Sequence, residues 1–271
     1  MKPLTFSLLS EPEERLDLSG LTPEQLDGMP VSDIARLKIG NSRFPASVGD
    51  LFKISGSDVA NIVFSGGSDR FDRVGAMMKE GRLRVKGDVG VRAGLKMSGG
   101  SLIVEGNAGA QAGSGMTEGR IEIQGNAGDS VGGPLPGEIQ GMAGGLLIIR
   151  GRAGHRTGER MRRGIIAVLK GCGDHAGLEM VAGTIVATGR VGLMPGHLMK
   201  RGSLLFDRRP AHLSPTFVDC GQVDISFPGL FDRYLMNEKI LDKPLLGSRP
   251  VRFGGDNAVL GKGEIMFRHG R

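Results

Sequence analysis

Hydrophobic and polar residues alternate in short stretches through the middle of the chain, and each stretch follows a glycine. Two examples are GRLRVKG at residues 81–87 and GRIEIQG at residues 119–125. A period of two residues is the pattern of a β-strand that buries one of its faces. The alternation therefore predicts one short strand after each of these glycines.

The stretches belong to a repeat in which a methionine precedes the glycine by three residues. The repeat reads GxxMxxGx[LI]x[VIAF], and five of the six intervals between its methionines are 19 residues. The methionines are Met78, Met97, Met116, Met142, Met161, Met180 and Met199. A fixed period near 20 residues is typical of a solenoid, in which each unit buries its apolar side against its neighbours.

The length and the glycine content of the repeat distinguish helical solenoids from β-solenoids. Helical repeats need about 33 residues or more, and each glycine inside a helix costs roughly 1 kcal/mol. One strand per unit with glycines at the corners predicts an all-β fold, a right-handed parallel β-helix with coils of about 19 residues. A calcium-binding nonapeptide solenoid is disfavoured because no aspartate recurs in the repeat, and a left-handed hexapeptide helix because only one side of each coil is strongly apolar.

The position of the repeats divides the chain into three parts. We expect an N-terminal cap at residues 1–40, the parallel β-helix at 41–208, and a C-terminal cap and tail at 209–271, all within one domain. Caps are needed because an open terminal coil exposes the edges of its strands.

Local signals predict several elements outside the regular repeats. The N-terminal part should contain strands at 4–8 and 36–39 and a helix that begins at Thr22, which can cap it before Pro23. Further strands are expected at 51–54 and 62–64, and a helix at 230–240. The insertion GPLPGEIQG at residues 133–141 interrupts the repeat and should leave the coil as a protruding loop.

The methionine column has two interpretations. An unbranched thioether fills irregular gaps, so the side chains can form an internal ladder of core residues. Alternatively, a column of sulfur atoms can bind a soft metal. The first interpretation is favoured.

Composition excludes several classes of protein. The 271 residues include two cysteines, and no stretch approaches 18 apolar residues, so neither a disulfide scaffold nor a membrane span is expected. The start of the chain has no apolar signal region, which predicts a soluble, cytoplasmic protein. The net charge is +6, but one tyrosine and no tryptophan leave no stacking platform for nucleic acid.

Motifs for catalysis and metal binding are not found. The five histidines are scattered, and Cys172 with His175 is the only close thiol and imidazole pair, whereas a structural zinc site needs four such ligands. There is no GxSxG elbow and no phosphate-binding P-loop. We therefore assign no catalytic residue and no metal ligand to this chain.

One stretch, RGRAGHRTGERMRR at residues 150–163, concentrates positive charge. Guanidinium groups suit carboxylates and phosphates, so this arginine run is either an interface with another subunit or a site for an anionic tail. Its members are Arg150, Arg152, Arg156, Arg160, Arg162 and Arg163.

The repeats and the segment GGDNAVLGKGE at residues 254–264 resemble, over nearly the whole chain, the C-subunits of formylmethanofuran dehydrogenase and of the bacterial formyltransferase/hydrolase complex. The glycine triplets, of which Gly87, Gly90 and Gly94 are one example, are similar also to the C-terminal β-helix of glutamate synthase. In these families the β-helix is implied to be structural, with the chemistry in other subunits.

The resemblance implies a one-carbon pathway of formaldehyde oxidation. A formyl group passes from tetrahydromethanopterin to methanofuran and is released as formate, with a metal in another subunit. The partners are then the other subunits of the same enzyme complex. Arginine outnumbers lysine, 24 to 11, which favours the bacterial hydrolytic complex. A molybdenum or tungsten formylmethanofuran dehydrogenase is the alternative.

Overall fold

The computed structural model describes residues 2–43 and 45–270. Within these residues the chain forms fifteen strands and four helices. Thirteen strands make one large sheet, and the other two form a small separate pair. The protein is therefore predominantly β, which confirms the predominance of strands that the alternating pattern predicts.

The bounds of the elements follow the chain. The strands are β1 (Pro3–Leu8), β2 (Leu16–Asp17), β3 (Phe52–Ser55), β4 (Asp58–Ser65), β5 (Phe71–Asp72), β6 (Arg82–Lys86), β7 (Ser98–Val104), β8 (Glu118–Ile123), β9 (Ala143–Ile149), β10 (Arg163–Val168), β11 (Thr184–Ala187), β12 (Arg201–Phe206), β13 (Val218–Gln222), β14 (Val251–Gly255) and β15 (Lys262–Phe267). The helices are α1 (Pro23–Leu26), α2 (Val31–Arg36), α3 (Val48–Leu51) and α4 (Ser226–Asn237).

The large sheet follows the order of the repeats. Strands β6 to β12 lie side by side in sequence order, and each pairs in parallel with the next. β4 pairs in parallel with β6, and β15 with β12. Antiparallel pairs occur at the two ends, where β1 meets β3 and where β13, β14 and β15 meet. The sheet is thus mixed, with a parallel centre and antiparallel ends, and it is not closed.

A second track of backbone pairing runs beside the sheet. Single parallel bridges connect the same position of successive repeats, in the order Val89, Ala108, Ala127, Ala153, Cys172 and Val191. These side chains are buried and face the inner side of the strands. Each repeat is therefore held to the next at two places, once in the sheet and once at the bridge.

The methionine column lies in the apolar core of the protein. All seven repeat methionines have 0% exposed surface, and they belong to the same apolar cluster as the inward residues of the strands. The internal ladder expected from the sequence is confirmed.

Glycines are required where the backbone of one repeat lies close to the backbone of the preceding repeat. Gly119 has φ of +89°, and a Cβ atom there would lie 2.8 Å from the carbonyl oxygen of Gly100 in the preceding repeat. Such a contact is closer than real side chains allow, so any larger residue would push the repeats apart. The glycine columns of the sequence are thus corner positions.

The outward face of the sheet changes character along the stack. In β6 the outward residues Arg82, Arg84 and Lys86 are exposed. From β9 onward one outward column of the sheet is apolar, and the segment that contains α4 packs over it. The outer cluster contains Leu146, Ile148, Ala167, Val186, Leu205 and Met266 of the sheet, and Leu235, Ile240, Leu245 and Leu246 of the covering segment.

The prediction of a strand at residues 36–39 is wrong. The structure places α2 at Val31–Arg36, followed by isolated bridges at Lys38 and Gly40. Asp33 lies in the first turn of this helix, where a negative charge is favourable. The alternating residues after Arg36 are too few to extend a strand.

Other local expectations are confirmed in position. The strands at 4–8, 51–54 and 62–64 correspond to β1, β3 and β4. Thr22 precedes α1 as expected, but its side chain makes no capping hydrogen bond. The helix expected at 230–240 is α4, which begins four residues earlier and ends at Asn237.

We expect the core position of Met116 to tolerate a change of shape better than a loss of volume. Met116→Ala should lower the free energy of unfolding by roughly 2–5 kcal/mol because it leaves a cavity. Met116→Leu, which is close in volume, should cost less than about 1.5 kcal/mol. Denaturant unfolding measures both variants, and Met77→Ala is the control because the Met77 side chain is 55% exposed. Equal costs for Ala and Leu at position 116 would contradict a tightly packed column.

Candidate functional site

The arginine run does not form one patch. Arg150 lies under the covering segment, where its guanidinium donates to the carbonyl oxygens of Lys239 at 2.8 Å and Ile240 at 3.1 Å. Arg160 pairs with Glu179 at 2.8 Å, and this contact raises the pKa of the guanidinium. These two arginines are therefore occupied by contacts within the chain.

The other four members of the run lie at different corners. Arg152 and Arg156 are exposed on either side of the bridge residue Ala153. Arg162 donates to the side-chain oxygen of Gln140 in the protruding loop at 3.0 Å, and the adjacent Arg163 begins β10. Strand alternation and the corners thus send neighbouring arginines to separate surfaces.

A charged group on the outer face of the sheet fixes the C-terminal segment. Glu122 accepts hydrogen bonds from Arg150 at 3.0 Å and Arg120 at 3.2 Å, and Arg120 also binds Glu238 at 2.8 Å. Burial by itself would raise the pKa of Glu122, but the hydrogen bonds and charges of Arg150 and Arg120 lower it below the ordinary value. Sequence reasoning missed this group because its members are up to 118 residues apart.

Asp232 and Asp256 fix the remaining part of the C-terminal segment. Asp232 on α4 is buried and accepts the backbone N–H of Leu245 at 2.8 Å and of Gly247 at 3.1 Å. Asp256 is buried and accepts the N–H of Leu198, in the last regular repeat, at 2.9 Å. Burial by itself would raise the pKa of Asp256, but hydrogen bonds from Thr216, Ala258 and Leu198 lower it below the ordinary value. Both carboxylates therefore act as structural anchors.

The thiol and imidazole pair noted in the sequence does not form a reactive site. Burial raises the pKa of the Cys172 thiol to about 12, so the thiol stays protonated at neutral pH. Among residues 2–43 and 45–270, no three His, Cys, Asp or Glu side chains come together to hold a metal ion.

Two open clefts border the terminal segments. One, of about 490 Å³, lies beside α1 and is lined by Asp17, Leu21, Met29 and Ile39 among others. The other, of about 330 Å³, lies between the outer face of the sheet and residues 240–245. Arg150 and Arg268 in the second cleft donate to backbone carbonyls of the covering segment, so this cleft is a seam between packed elements.

The insertion at residues 133–141 carries the most exposed large apolar side chain within residues 2–43 and 45–270. The side chain of Ile139 is 86% exposed. The loop around it is held from both sides, because Lys96 pairs with Glu138 at 2.7 Å and Arg162 donates to Gln140. The protrusion expected from the sequence is confirmed, and the loop presents Ile139 on fixed supports.

Comparison with known proteins adds two relatives. A segment of 88 residues is 43% identical to the Fhc C-subunit of the formyltransferase/hydrolase complex of Methylorubrum extorquens strain AM1, and it spans 32% of this chain and 33% of that protein. The crystal structure of the formyltransferase/hydrolase complex (FhcABCD) from Methylorubrum extorquens with methylofuran contains a chain that matches at a TM-score of 0.92 and 43% identity. That match covers 97% of this chain and 99% of the other. No protein-family model matches the chain.

The stacked parallel strands and the surface groups described above define a β-sheet repeat protein, whose distinctive polar groups lie at corners and seams. With 43% identity across nearly the full length of the matched chain, the protein belongs to the family of the C-subunit of the formyltransferase/hydrolase complex. No helix in the described parts of the chain has the length and apolar character to cross a membrane.

The depressed pKa of Glu122 predicts a pH dependence of stability. Its ionised form gains favourable contacts on folding, so this contribution is fully present above the ordinary pKa of about 4.3. The contribution is lost as the pH falls through the lower pKa of the folded state. The difference in unfolding free energy between the wild type and Glu122→Gln should therefore be larger at neutral pH than in acid, as measured by urea unfolding. Glu118→Gln, at an exposed position, is the control, and an equal pH dependence in both variants would contradict this account.

Proposed function

We propose that this chain is the non-catalytic scaffold subunit of a formyltransferase/hydrolase complex in one-carbon metabolism. The observation that carries the proposal is the match to a chain of the FhcABCD crystal structure over 97% of the sequence. The surface of the chain supports the non-catalytic role, because the charged groups described above hold segments of the same chain together. In this role the protein has the other subunits of the complex as partners and works in the cytoplasm.

The reaction of the whole complex is the transfer of a formyl group from formyl-tetrahydromethanopterin to methanofuran, followed by hydrolysis to formate. Methylofuran in the related crystal structure supports methanofuran as the carrier. Both carriers act on the complex, and the metal belongs to another subunit. The molybdenum or tungsten dehydrogenase is not favoured, because both named relatives belong to the hydrolytic complex.

For the architecture, we propose that the sheet and the track of single bridges are two sides of a right-handed parallel β-helix at residues 41–208. The bridges at intervals of one repeat support this arrangement, because both tracks recur once in every repeat. Residues 1–40 and 209–271 then cap the ends. The anchors Asp232 and Asp256 support the role of the C-terminal part.

The arginine run keeps two possible roles in this assembly. Arg150 and Arg160 support the packing of the chain itself, whereas Arg152, Arg156, Arg162 and Arg163 are exposed. These four are available to another subunit or to an anionic tail of the carrier.

The isolated chain should neither transfer a formyl group nor hydrolyse formylmethanofuran, since the chemistry is assigned to other subunits. An affinity-tagged chain should recover the other subunits in fixed proportion from cells that express the complex. Sizing chromatography with identification of the partners measures the assembly, and turnover assays measure the activity. Activity of the purified chain alone, or a chain that elutes as a free monomer from cell extract, would contradict the scaffold role.

The protruding loop should contribute to this assembly through Ile139. In this proposal the Ile139 side chain becomes buried against a partner subunit. Ile139→Asp would place a charge there, so it should reduce recovery of the partner subunits severalfold. Leu9→Asp is the matched control, because Leu9 is also a highly exposed aliphatic residue, located near the N-terminal end. Equal recovery with both variants would show that the loop lies outside the interface.

A further inference from the structure

Two imidazoles meet at one corner of the last two regular repeats. His175 lies five residues before Met180, and His197 lies two residues before Met199. The centroids of the two rings are 6.2 Å apart, and the ring planes are inclined by 53°. The two histidines belong to successive repeats and occupy different positions in them, so no sequence motif connects them. It is the stacking of the repeats that brings the rings together.

Backbone hydrogen bonds between the repeats fix this corner. The N–H of His175 donates to the carbonyl oxygen of Leu193 at 2.8 Å, and the N–H of Glu179 donates to the carbonyl oxygen of His197 at 2.8 Å. Within the second repeat, the N–H of His197 donates to the carbonyl oxygen of Met194 at 3.3 Å. Each histidine is thus held through its own backbone to the repeat that carries the other.

Each of the two imidazoles has a buried nitrogen without a hydrogen-bond partner. Both side chains are partly buried, and the Nδ1 atoms of His175 and His197 make no hydrogen bond in the described parts of the chain. His155, in the preceding repeat, differs, because its Nδ1 accepts the N–H of Asp174 at 3.1 Å. Buried polar atoms in folded proteins are nearly always bonded, and an exception requires a water, an ion or a functional role. A ligand that binds both nitrogens would satisfy the pair.

The separation of the rings fits one metal ion between them. A metal–nitrogen distance of about 2.0–2.1 Å places an ion about 3.2 Å from the centre of an imidazole, so two rings on opposite sides of the ion have centroids about 6.4 Å apart. Two ligands of a tetrahedral ion would bring the centroids to about 5.2 Å. The observed 6.2 Å is close to the first value. The spacing therefore favours an ion held by two nitrogens in a nearly linear arrangement.

The nearby carboxylate supplies charge but no free oxygen. Asp256 interacts electrostatically with His197, and its two oxygens accept the N–H groups of Leu198 at 2.9 Å and Ala258 at 2.8 Å. Its negative charge favours a cation at this corner. Within residues 2–43 and 45–270 no third His, Cys, Asp or Glu completes a metal-binding set, whereas structural zinc needs four ligands. The donors present thus suit an ion of low coordination number.

A methionine adds a soft donor to the same corner. Met194 holds in its repeat the position that His175 holds in the preceding one, and both have a left-handed backbone, with φ of +53° and +61°. Thioether ligands select Cu(I), and imidazole also suits copper. Cu(I) accepts two nitrogen ligands in a linear arrangement, so both the spacing of the rings and the type of donor fit this ion.

We propose that His175 and His197 bind one Cu(I) ion through their Nδ1 atoms. The neutral imidazole is a common metal ligand, and either ring nitrogen can bind. The ion joins the last two regular repeats through side chains, in addition to the backbone bonds, so its binding stabilises the folded chain. This site goes beyond the proposed function, because it requires neither a carrier nor a partner subunit.

Competition with a chromogenic Cu(I) chelator measures the binding. The parent is the full-length chain with Cys220→Ser, because the exposed Cys220 thiol would bind the same ion. Without oxygen and with a reductant, this parent should take one equivalent of Cu(I) from the chelator. His175→Asn and His197→Asn should each lower the affinity by about tenfold or more, since even the outer partners of metal ligands contribute that much. Asparagine tolerates the left-handed backbone of position 175. Full affinity in the double variant would overturn the site.

A matched histidine variant and a second metal test the specificity. His269→Asn removes an exposed imidazole that follows the end of β15, whereas His197 precedes the start of the parallel neighbour β12. This variant should bind Cu(I) within about twofold of the parent, because distant sites act independently. Equal weakening by His269→Asn and the site variants would contradict the proposal. The parent should bind Zn²⁺ more weakly than Cu(I), and equal or tighter Zn²⁺ binding would exclude the linear two-nitrogen site.

Two measurements on the loaded parent do not depend on the variants. Cu(I) should raise its thermal unfolding midpoint, because the ion binds the native state and joins two repeats. X-ray absorption at the copper edge should show imidazole nitrogens as ligands. Binding that leaves the midpoint unchanged, or a spectrum with sulfur ligands alone, would overturn the proposal. The scaffold role would stand in either case, since neither measurement involves another subunit.

Discussion

Each repeat in this protein completes its backbone hydrogen bonding only through the next one. The strands pair in the sheet and the bridge residues pair beside it, so a single repeat alone would expose both edges. The close approach of the corners makes this pairing possible, and it is why glycine occupies positions such as Gly119. Polar side chains continue the same pattern, because Asn107 accepts the N–H of Asn126 and Asn126 accepts the N–H of Arg152 in the following repeat. Stability is thus a property of neighbouring repeats.

The stacking does not restrict the residue types on the outward face of the sheet, and these residue types differ between the two halves of the sheet. Up to β8 the outward positions carry mostly charged and polar residues, which are in contact with water. From β9 onward an apolar column that includes Ile148, Ala167 and Val186 appears on this face, so that a second layer must cover it. The C-terminal segment supplies that layer and is fixed by Arg150 and Asp232. Because this half of the sheet is already covered, another subunit has access to the corners, the protruding loop and the outer side of α4.

Sequence periodicity predicted the strands, the methionine core and the loop because each depends on residues within one repeat. The outer cluster was missed although a signal exists, since LLII at residues 146–149 is apolar at every position and so indicates burial of both faces. The arginine run concentrates positive charge in the sequence, but Arg150 and Arg160 make contacts within the chain that the local sequence does not reveal. Residues that share a column along the stack lie whole periods apart in the sequence, so Arg163 lies in one column with Arg201, two repeats later, and not with Arg160. The C-terminal anchors could not be predicted, because Asp232 and Asp256 lie outside the repeat and its period does not determine their partners.

The corners show how a repeat protein separates stability from recognition. Inward positions are restricted by the stack, so they stay apolar in every repeat. Corner side chains project into solvent, and their charge can change between repeats with little effect on the core. At the corner where the strands begin, the sign changes from Glu80 and Glu118 in earlier repeats to Arg163 and Arg201 in later ones. The charge of this corner is therefore set independently of the stacking that holds the repeats together.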